Sequence, residues 1–231
     1  MRSIPLLSIL ILAIGLILGG ALLPCPMFAT SIKKIKLPPS SFKGELSVEE
    51  AIKKRRSQRS FLDRSLSLSQ VSQILWAAQG ITEEGGFKRA APSAGALYPL
   101  EIYLVVKNVE ELEKGVYHYH PQDHVISFVL KGNYQDTLAR ACLSQSFVAA
   151  SPLCIVIAAE HERTSIKYGE RGIRYVLMEV GHVGQNICLQ AVALGLATCP
   201  VGAFMDEEVS RVLELPRRHR PLYVLAVGYA S

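Results

Sequence analysis

Four short stretches of the sequence hold residues whose types and spacing could do chemistry. Arg55, Arg56, Ser57, Gln58 and Arg59 place three guanidinium groups and a hydroxyl within five residues. Guanidinium forks match phosphate oxygens in a way a lysine ammonium does not, so this segment suits a phosphorylated ligand. A solvated basic helix end, favoured by the helix dipole, is the plainer alternative. Between Pro92 and Pro99, Ser93, Ala94, Gly95, Ala96, Leu97 and Tyr98 make a run of mostly small residues. Such a run lets backbone approach a flat ligand, although an ordinary tight loop reads the same way. In Pro200 to Phe204, Gly202 permits an unusual backbone angle, and the amides of Gly202 and Ala203 could face a ligand; a simple turn is the alternative. Lys167 and Tyr168 open the block that ends at Gly172. Neither is a good base at its ordinary pKa. A lysine beside a tyrosine can lower the phenol's pKa and make it a proton acceptor, but a polar helix entrance explains the same residues.

These segments need elements to hold them. Ser47 with Glu50, and Ser67 with Gln70, are capping boxes that should each start a helix. After the second, Val71, Ile74, Leu75 and Ala78 share one helical face, and Gly80 should end the helix. Residues 101–106 are β-branched and aromatic. Residues 116–119 and 125–130 flank a turn at 121–123 and read as a hairpin. Residues 153–158 should form a buried strand, and 222–227 another. The longest helical pattern runs over 171–196, with Val176, Val180, Val183 and Ile187 at helical spacing. Gly181 and Gly184 within it allow a neighbouring helix to come close. A hairpin, central strands and helices together indicate an α+β fold.

The remaining residues constrain the function more than they define it. The net charge of +5 over 231 residues is modest and spread along the chain, and no nucleic-acid-binding signature accompanies it. Residues 4–23 carry no charge. They make residues 1–30 a signal peptide or a membrane anchor, so that the domain is exported or membrane-anchored, with residues 4–23 a possible membrane contact and the side of the membrane open. Residues 31–44 read as a linker, and 45–231 as one domain. Cys142, Cys154, Cys188 and Cys199 have no CxxC spacing and read as small buried hydrophobes. His118 and His120 share a strand face, with His124 nearby, but no cluster completes a metal site, so no metal is expected. His182 is expected to be packed and hydrogen-bonded.

Taken together, the order and spacing of these segments resemble the nitroreductase superfamily of flavoproteins, from about Leu46 to Gly228. The resemblance is closest to the SagB/ThcOx-type dehydrogenase branch. It rests on Arg55 to Arg59, Ser93 to Pro99, Lys167 to Gly172, the stretch from Glu179 to Asn186, and Leu194 to Phe204. It implies a nitroreductase-like fold, a central mainly antiparallel sheet flanked by helices, with FMN at a homodimer interface. Arg55, Ser57 and Arg59 match residues that hold the FMN phosphate and ribityl chain, and Arg56 stands in the same segment. Ser93, Ala94, Gly95 and Leu97 match a loop against the flavin, and Gly202 and Ala203 match backbone facing its ring. Lys167 and Tyr168 match a catalytic pair, with Tyr168 as general base and Lys167 tuning it. The long helix would form much of the dimer contact. The sequence ends at Ser231, where many family members add a basic residue near the phosphate, so Arg55, Arg56 and Arg59 are expected to carry more of that role. The implied activity is FMN-dependent hydride transfer with a small-molecule or peptide-like substrate. An NAD(P)H-driven nitro or quinone reductase and a non-catalytic flavin-binding module remain open alternatives.

Overall fold

The structure is a computed structural model that describes residues 33–83 and 85–231. The leader expected over residues 1–30 lies outside the described residues. Among the described residues, no helix is long and apolar enough to cross a membrane.

Seven strands form one antiparallel sheet. They are β1 (Lys34–Lys36), β2 (Leu100–Val106), β3 (Gly115–His120), β4 (Val125–Lys131), β5 (Leu153–Ala159), β6 (Ala197–Val201) and β7 (Arg220–Gly228). Their order across the sheet is β1-β4-β3-β2-β5-β7-β6. The expected hairpin is β3–β4, with Val116 opposite Leu130 and His120 opposite Val125. β5 is buried along its whole length. Its side chains alternate between two cores: Leu153, Ile155 and Ile157 face one, and Cys154, Val156 and Ala158 the other. Alternation of this kind needs apolar layers on both sheet faces. One layer comprises α2 (Leu68–Gln79) and α6 (Arg171–Ala193), with α1 (Val48–Lys54) and α5 (Glu162–Tyr168) packed on α6; the other comprises α3 (Gln135–Ala141), α4 (Ser146–Ala150) and α7 (Asp206–Val212).

Local signals explain most of these elements. Both capping boxes form, Ser47 with Glu50 and Ser67 with Gln70, each through reciprocal bonds. Val71, Ile74, Leu75 and Ala78 are fully buried. Gly80 ends α2, but in extended rather than left-handed backbone. A glycine is needed there for space, since an added Cβ would run into the Trp76 ring and the Trp76 carbonyl. All four cysteines in the domain are buried and free.

Several expectations need correction. The stretch over residues 31–44 is not a bare linker. It contains β1, paired with β4 so that Ile35 lies opposite Ile126, and Leu37 enters the core. Ser41 exchanges two backbone bonds with the Gln73 side chain. β6 also appears where a loop was expected. It is a sheet edge, where Pro200 is tolerated. Gly184 does not admit a neighbouring helix; an added Cβ would stand 2.9 Å from the Tyr223 ring of β7. Gly181 faces open space. His182 is exposed rather than packed.

Candidate functional site

The arginine segment lies on the outer edge of the sheet. Arg55 caps the C-terminus of α1, and the chain then runs extended beside β6. Ser57 bridges Thr198 in parallel, and the Gln58 amide donates to the Thr198 carbonyl at 2.9 Å. The segment therefore shares an edge strand with Gly202 and Ala203, which follow β6. Ser57, Arg59, Gly202 and Ala203 are exposed and Arg55 is half-buried. Among the described residues, Arg55 and Arg59 form no ion pair. Both remain close enough to the buried edge for their charge to act on thiols: Arg55 on Cys188 and Arg59 on Cys199. Arg56 is exposed, and its Nε donates to the Lys54 carbonyl. Gly202 does not use left-handed backbone. What it provides is room, with no atom within 4 Å of the position of an added Cβ.

The second half of the site lies along α6. Ser93 leads into a 3-10 turn (Ala94–Ala96) in which Gly95, Ala96 and, after it, Tyr98 all have positive φ, at 63°, 53° and 46°. Conformations of this kind persist only where surrounding contacts over-determine them. The contacts are visible. Ser93 Oγ accepts from the Tyr98 amide at 2.9 Å, and Tyr98 Oη donates to the Phe87 carbonyl at 2.7 Å. At the tip, a Cβ on Gly95 would lie 2.8 Å from Tyr168 Oη and 3.0 Å from Lys167 Nζ. The polar heads of Lys167 and Tyr168 thus converge on Gly95, where a methyl would push them aside and where the positive φ already favours glycine. Lys167 and Tyr168 close α5, a separate helix rather than the entrance to α6. The Tyr168 ring meets the Tyr175 ring of α6 edge-on, with centroids 5.2 Å apart.

Sequence reasoning missed two groups that hold this half. Glu179 is 3% exposed on the inner face of α6. It accepts from Gln79 Nε2, and Gln79 Oε1 in turn accepts from Arg89. Burial raises the Glu179 carboxyl, against the lowering by hydrogen bonds from Ser93 and Gln79 and by the Arg89 charge. A carboxylate set among Val176, Val180 and Val183 on a buried helical face was the available signal. Glu179, His182, Tyr175 and Met178 line a hollow under Ser93 and Ala94. A larger cavity, about 670 Å³, lies between α1, α2 and the C-terminal half of α6, and no predicted site residue lines it.

The second missed group is Arg163. Its Nε donates to Glu160 at 2.7 Å, its Nη1 to the Tyr98 carbonyl at 3.0 Å, and its Nη2 to Glu101. His118 donates to the other Glu101 oxygen at 2.7 Å, and His120 pairs with Ser127. Burial would raise the Glu101 carboxyl, but His118 and Arg163 outweigh it and hold the group at about 2. Glu101, Glu160 and His219 have ligand atoms within 4.8 Å of one another. Arg163 already bridges the two carboxylates, so the trio is a charge-neutralised cluster.

A model of the nitroreductase family matches residues 52–229 of the chain. The chain belongs to the nitroreductase family. A candidate nitroreductase of Methanocaldococcus jannaschii is 48% identical over 184 residues, spanning 80% of this chain and 91% of that protein. The microcin B17-processing protein McbC of Escherichia coli is 31% identical over 175 residues, spanning 73% of this chain and 64% of McbC. Among solved structures, a candidate nitroreductase of Ralstonia eutropha superposes with a TM-score of 0.75 at 26% identity, covering 91% of this chain and 95% of that one. The likeness to McbC places this nitroreductase in the SagB-type branch. It is an oxidoreductase of FMN type, and its antiparallel sheet with helices on both faces is the nitroreductase fold. The residues present fit that cofactor. Unpaired guanidinium groups and a free hydroxyl suit a phosphate, and the open ground at Gly202 suits a flat ring.

Proposed function

We propose that this enzyme is a homodimeric FMN-dependent dehydrogenase acting on a dihydro ring, such as an azoline, in a small or peptide-like substrate. The observation that carries the reading is the convergence of Lys167 Nζ and Tyr168 Oη on the Gly95 backbone. When bound, FMN supplies the hydride-transfer chemistry. Arg55, Ser57 and Arg59 hold its phosphate and ribityl chain. The loop of Ser93, Ala94, Gly95 and Leu97, together with Gly202 and Ala203, lies against its ring. Tyr168 Oη would act as general base in its phenolate form, which the neighbouring Lys167 ammonium favours, and would take the proton released from the substrate carbon.

The dimer follows from α6. Arg55 acts near Cys188, whereas Glu179 shares a hollow with Ser93 and Tyr168 packs on Tyr175. At 1.5 Å per residue these points are about 14–20 Å apart along the helix. The outer face of the helix exposes Ile173, Leu177 and Met178, each about half, beside Arg174, His182 and Gln185. A two-fold partner laid antiparallel on this face covers it and brings one chain's arginines towards the other's Ser93 loop.

A second reading is supported by the Methanocaldococcus jannaschii relative, which bears a nitroreductase name at 48% identity: an NAD(P)H-driven reductase of nitroaromatics or quinones on the same flavin. One experiment separates the two. Purified chain reconstituted with FMN is assayed for oxidation of a short peptide carrying one thiazoline ring, and separately for NADPH-driven reduction of a nitroaromatic. The proposal expects Tyr168→Phe to slow the first by at least about 100-fold. A wild-type protein that reduces the nitroaromatic, is inert to thiazolines and tolerates Tyr168→Phe is a reductase instead. Failure to bind FMN, in wild type as in Arg55→Ala/Arg59→Ala, overturns both.

A further inference from the structure

We infer that Arg163 is a positioning residue that sets the Lys167–Tyr168 pair against the Gly95 loop; the inference rests on the dehydrogenase reading above. α5, which carries the pair, has seven residues. A helix that short does not hold itself. No side chain caps its N-terminus, and it ends at Gly169 in left-handed φ of 58°. External contacts must therefore fix where its last two residues point. One is the packing of α5 on α6, so close at Gly172 that an added Cβ would lie 2.9 Å from the Ser165 amide nitrogen. The other is Arg163.

Arg163 stands four residues before Lys167, so both project from the same side of α5. Its guanidinium makes three contacts with three different parts of the fold. Nε holds Glu160 just past β5, Nη2 holds Glu101 on β2, and Nη1 holds the Tyr98 carbonyl where the Gly95 loop ends. The loop and the helix that meet at Gly95 are thus tied to one rigid group one helical turn away from the meeting point. The anchor is itself fixed. The other Glu101 oxygen is occupied by His118 at 2.7 Å, and Arg218 lies 3.6 Å from the second Glu160 oxygen. The Glu160 amide also donates to the Pro99 carbonyl at 2.9 Å, stitching the end of β5 to the same loop. A lysine at 163 would keep the charge but could not span three acceptors in a planar fork. Nothing else among the described side chains bonds both the Gly95 loop and α5.

The test uses FMN-loaded full chain with Arg163→Ala, Arg163→Lys, Tyr168→Phe and the double variant Arg163→Ala/Tyr168→Phe. Rates of thiazoline-peptide oxidation are taken per bound flavin, with dioxygen as the acceptor. Displacing a catalytic pair by about an ångström costs on the order of 100-fold. Arg163→Ala should therefore lose about 10- to 100-fold in kcat with KM little changed, and Arg163→Lys should fall between it and wild type. The double variant should be no slower than Tyr168→Phe alone, because Arg163 acts through the pair. Hydrogen exchange supplies a readout that needs no substrate: amides of residues 95–98 and 167–169 should lose protection together in Arg163→Ala, while those of α1 and β6 keep theirs. If the alanine variant does not fold, the lysine variant and its double with Tyr168→Phe carry the test. Additive losses in the double variant, or wild-type kcat in Arg163→Ala while Tyr168→Phe is slowed, overturn the inference and leave the dehydrogenase reading standing. Wild-type kcat in Tyr168→Phe overturns both.

Discussion

Gly95→Ala isolates the close approach on which the proposed chemistry depends. Gly95 sits at φ 63°, ψ 17°, where an L-residue costs about 1–2 kcal/mol. The added methyl would also stand 2.8 Å from Tyr168 Oη and 3.0 Å from Lys167 Nζ. Ordinary carbon contacts begin at about 3.5 Å, so the pair or the loop must retreat by roughly half an ångström. Gly195→Ala is the matched control. It has the same left-handed backbone, with φ 70°, but nothing within 4 Å of the new methyl. Both variants should lose about 1–2 kcal/mol, which lowers the melting temperature of a domain this size by roughly 2–8 °C. Only Gly95→Ala should lose thiazoline-peptide turnover per bound flavin, by about 10- to 100-fold. Thermal unfolding and steady-state turnover on the same preparations give both numbers. Equal turnover in the two glycine variants would refute the claim that contact at Gly95 matters to the chemistry.

Three further outcomes follow from the same geometry. Leu177→Glu places a charge on the bare face of α6 and should give a monomer by light scattering, with FMN affinity at least about tenfold weaker by fluorescence titration, the scale of a central interface residue; a variant that stays dimeric puts the interface elsewhere. Glu101 is held at about 2 against an ordinary value of 4.5, so its contribution to stability is present above about pH 4.5 and is lost as pH falls towards 2. Glu101→Gln should therefore be about 3 kcal/mol less stable than wild type near pH 7, with the gap closing in urea titrations run between pH 4.5 and 3. Burial raises Glu179, so its contribution is full below the ordinary carboxylate range and is lost as pH rises. Glu179→Gln should gain on wild type in melting temperature between pH 5 and 8, and a constant difference across that range would count against a buried, strained charge there.

The elements most legible in the sequence were those whose signal is local. The capping boxes at Ser47 and Ser67 formed as written, because the cap is made by residues three apart. β5 was legible because a strand buried on both faces has no polar alternation to obscure it. β1 was obscured by its neighbours. The alternation Lys34, Ile35, Lys36, Leu37 is a strand signal, but it is four residues long and lies beside Pro38 and Pro39. Gly184 shows a different limit. Its spacing suggested a helix partner, and only the tertiary structure reveals Tyr223 across from it. Arg163 could not be found from sequence because its three acceptors, Tyr98, Glu101 and Glu160, are separated along the chain and come together only when β2 and β5 pair.

That last failure shows how the site is divided. The arginine segment hangs on an edge strand by backbone bonds at Ser57 and Gln58, which any sequence could make, so its identity lies wholly in the side chains left free: Arg55, Ser57 and Arg59. On the proposed reading those residues are readable from sequence because they answer to a ligand and not to the fold. The Lys167–Tyr168 half is the reverse. Its two polar heads mean little without the left-handed Gly95 loop, which Arg163 bonds at its exit and which lies over the hollow lined by Glu179. Taken as proposed, a binding half that tolerates change in its scaffold and a reacting half that does not predict where substitutions will separate affinity from rate. Changes at Arg55 and Arg59 should move FMN binding and leave the turnover of bound enzyme intact, whereas changes at Arg163 and Gly95 should move turnover in enzyme that still holds its flavin.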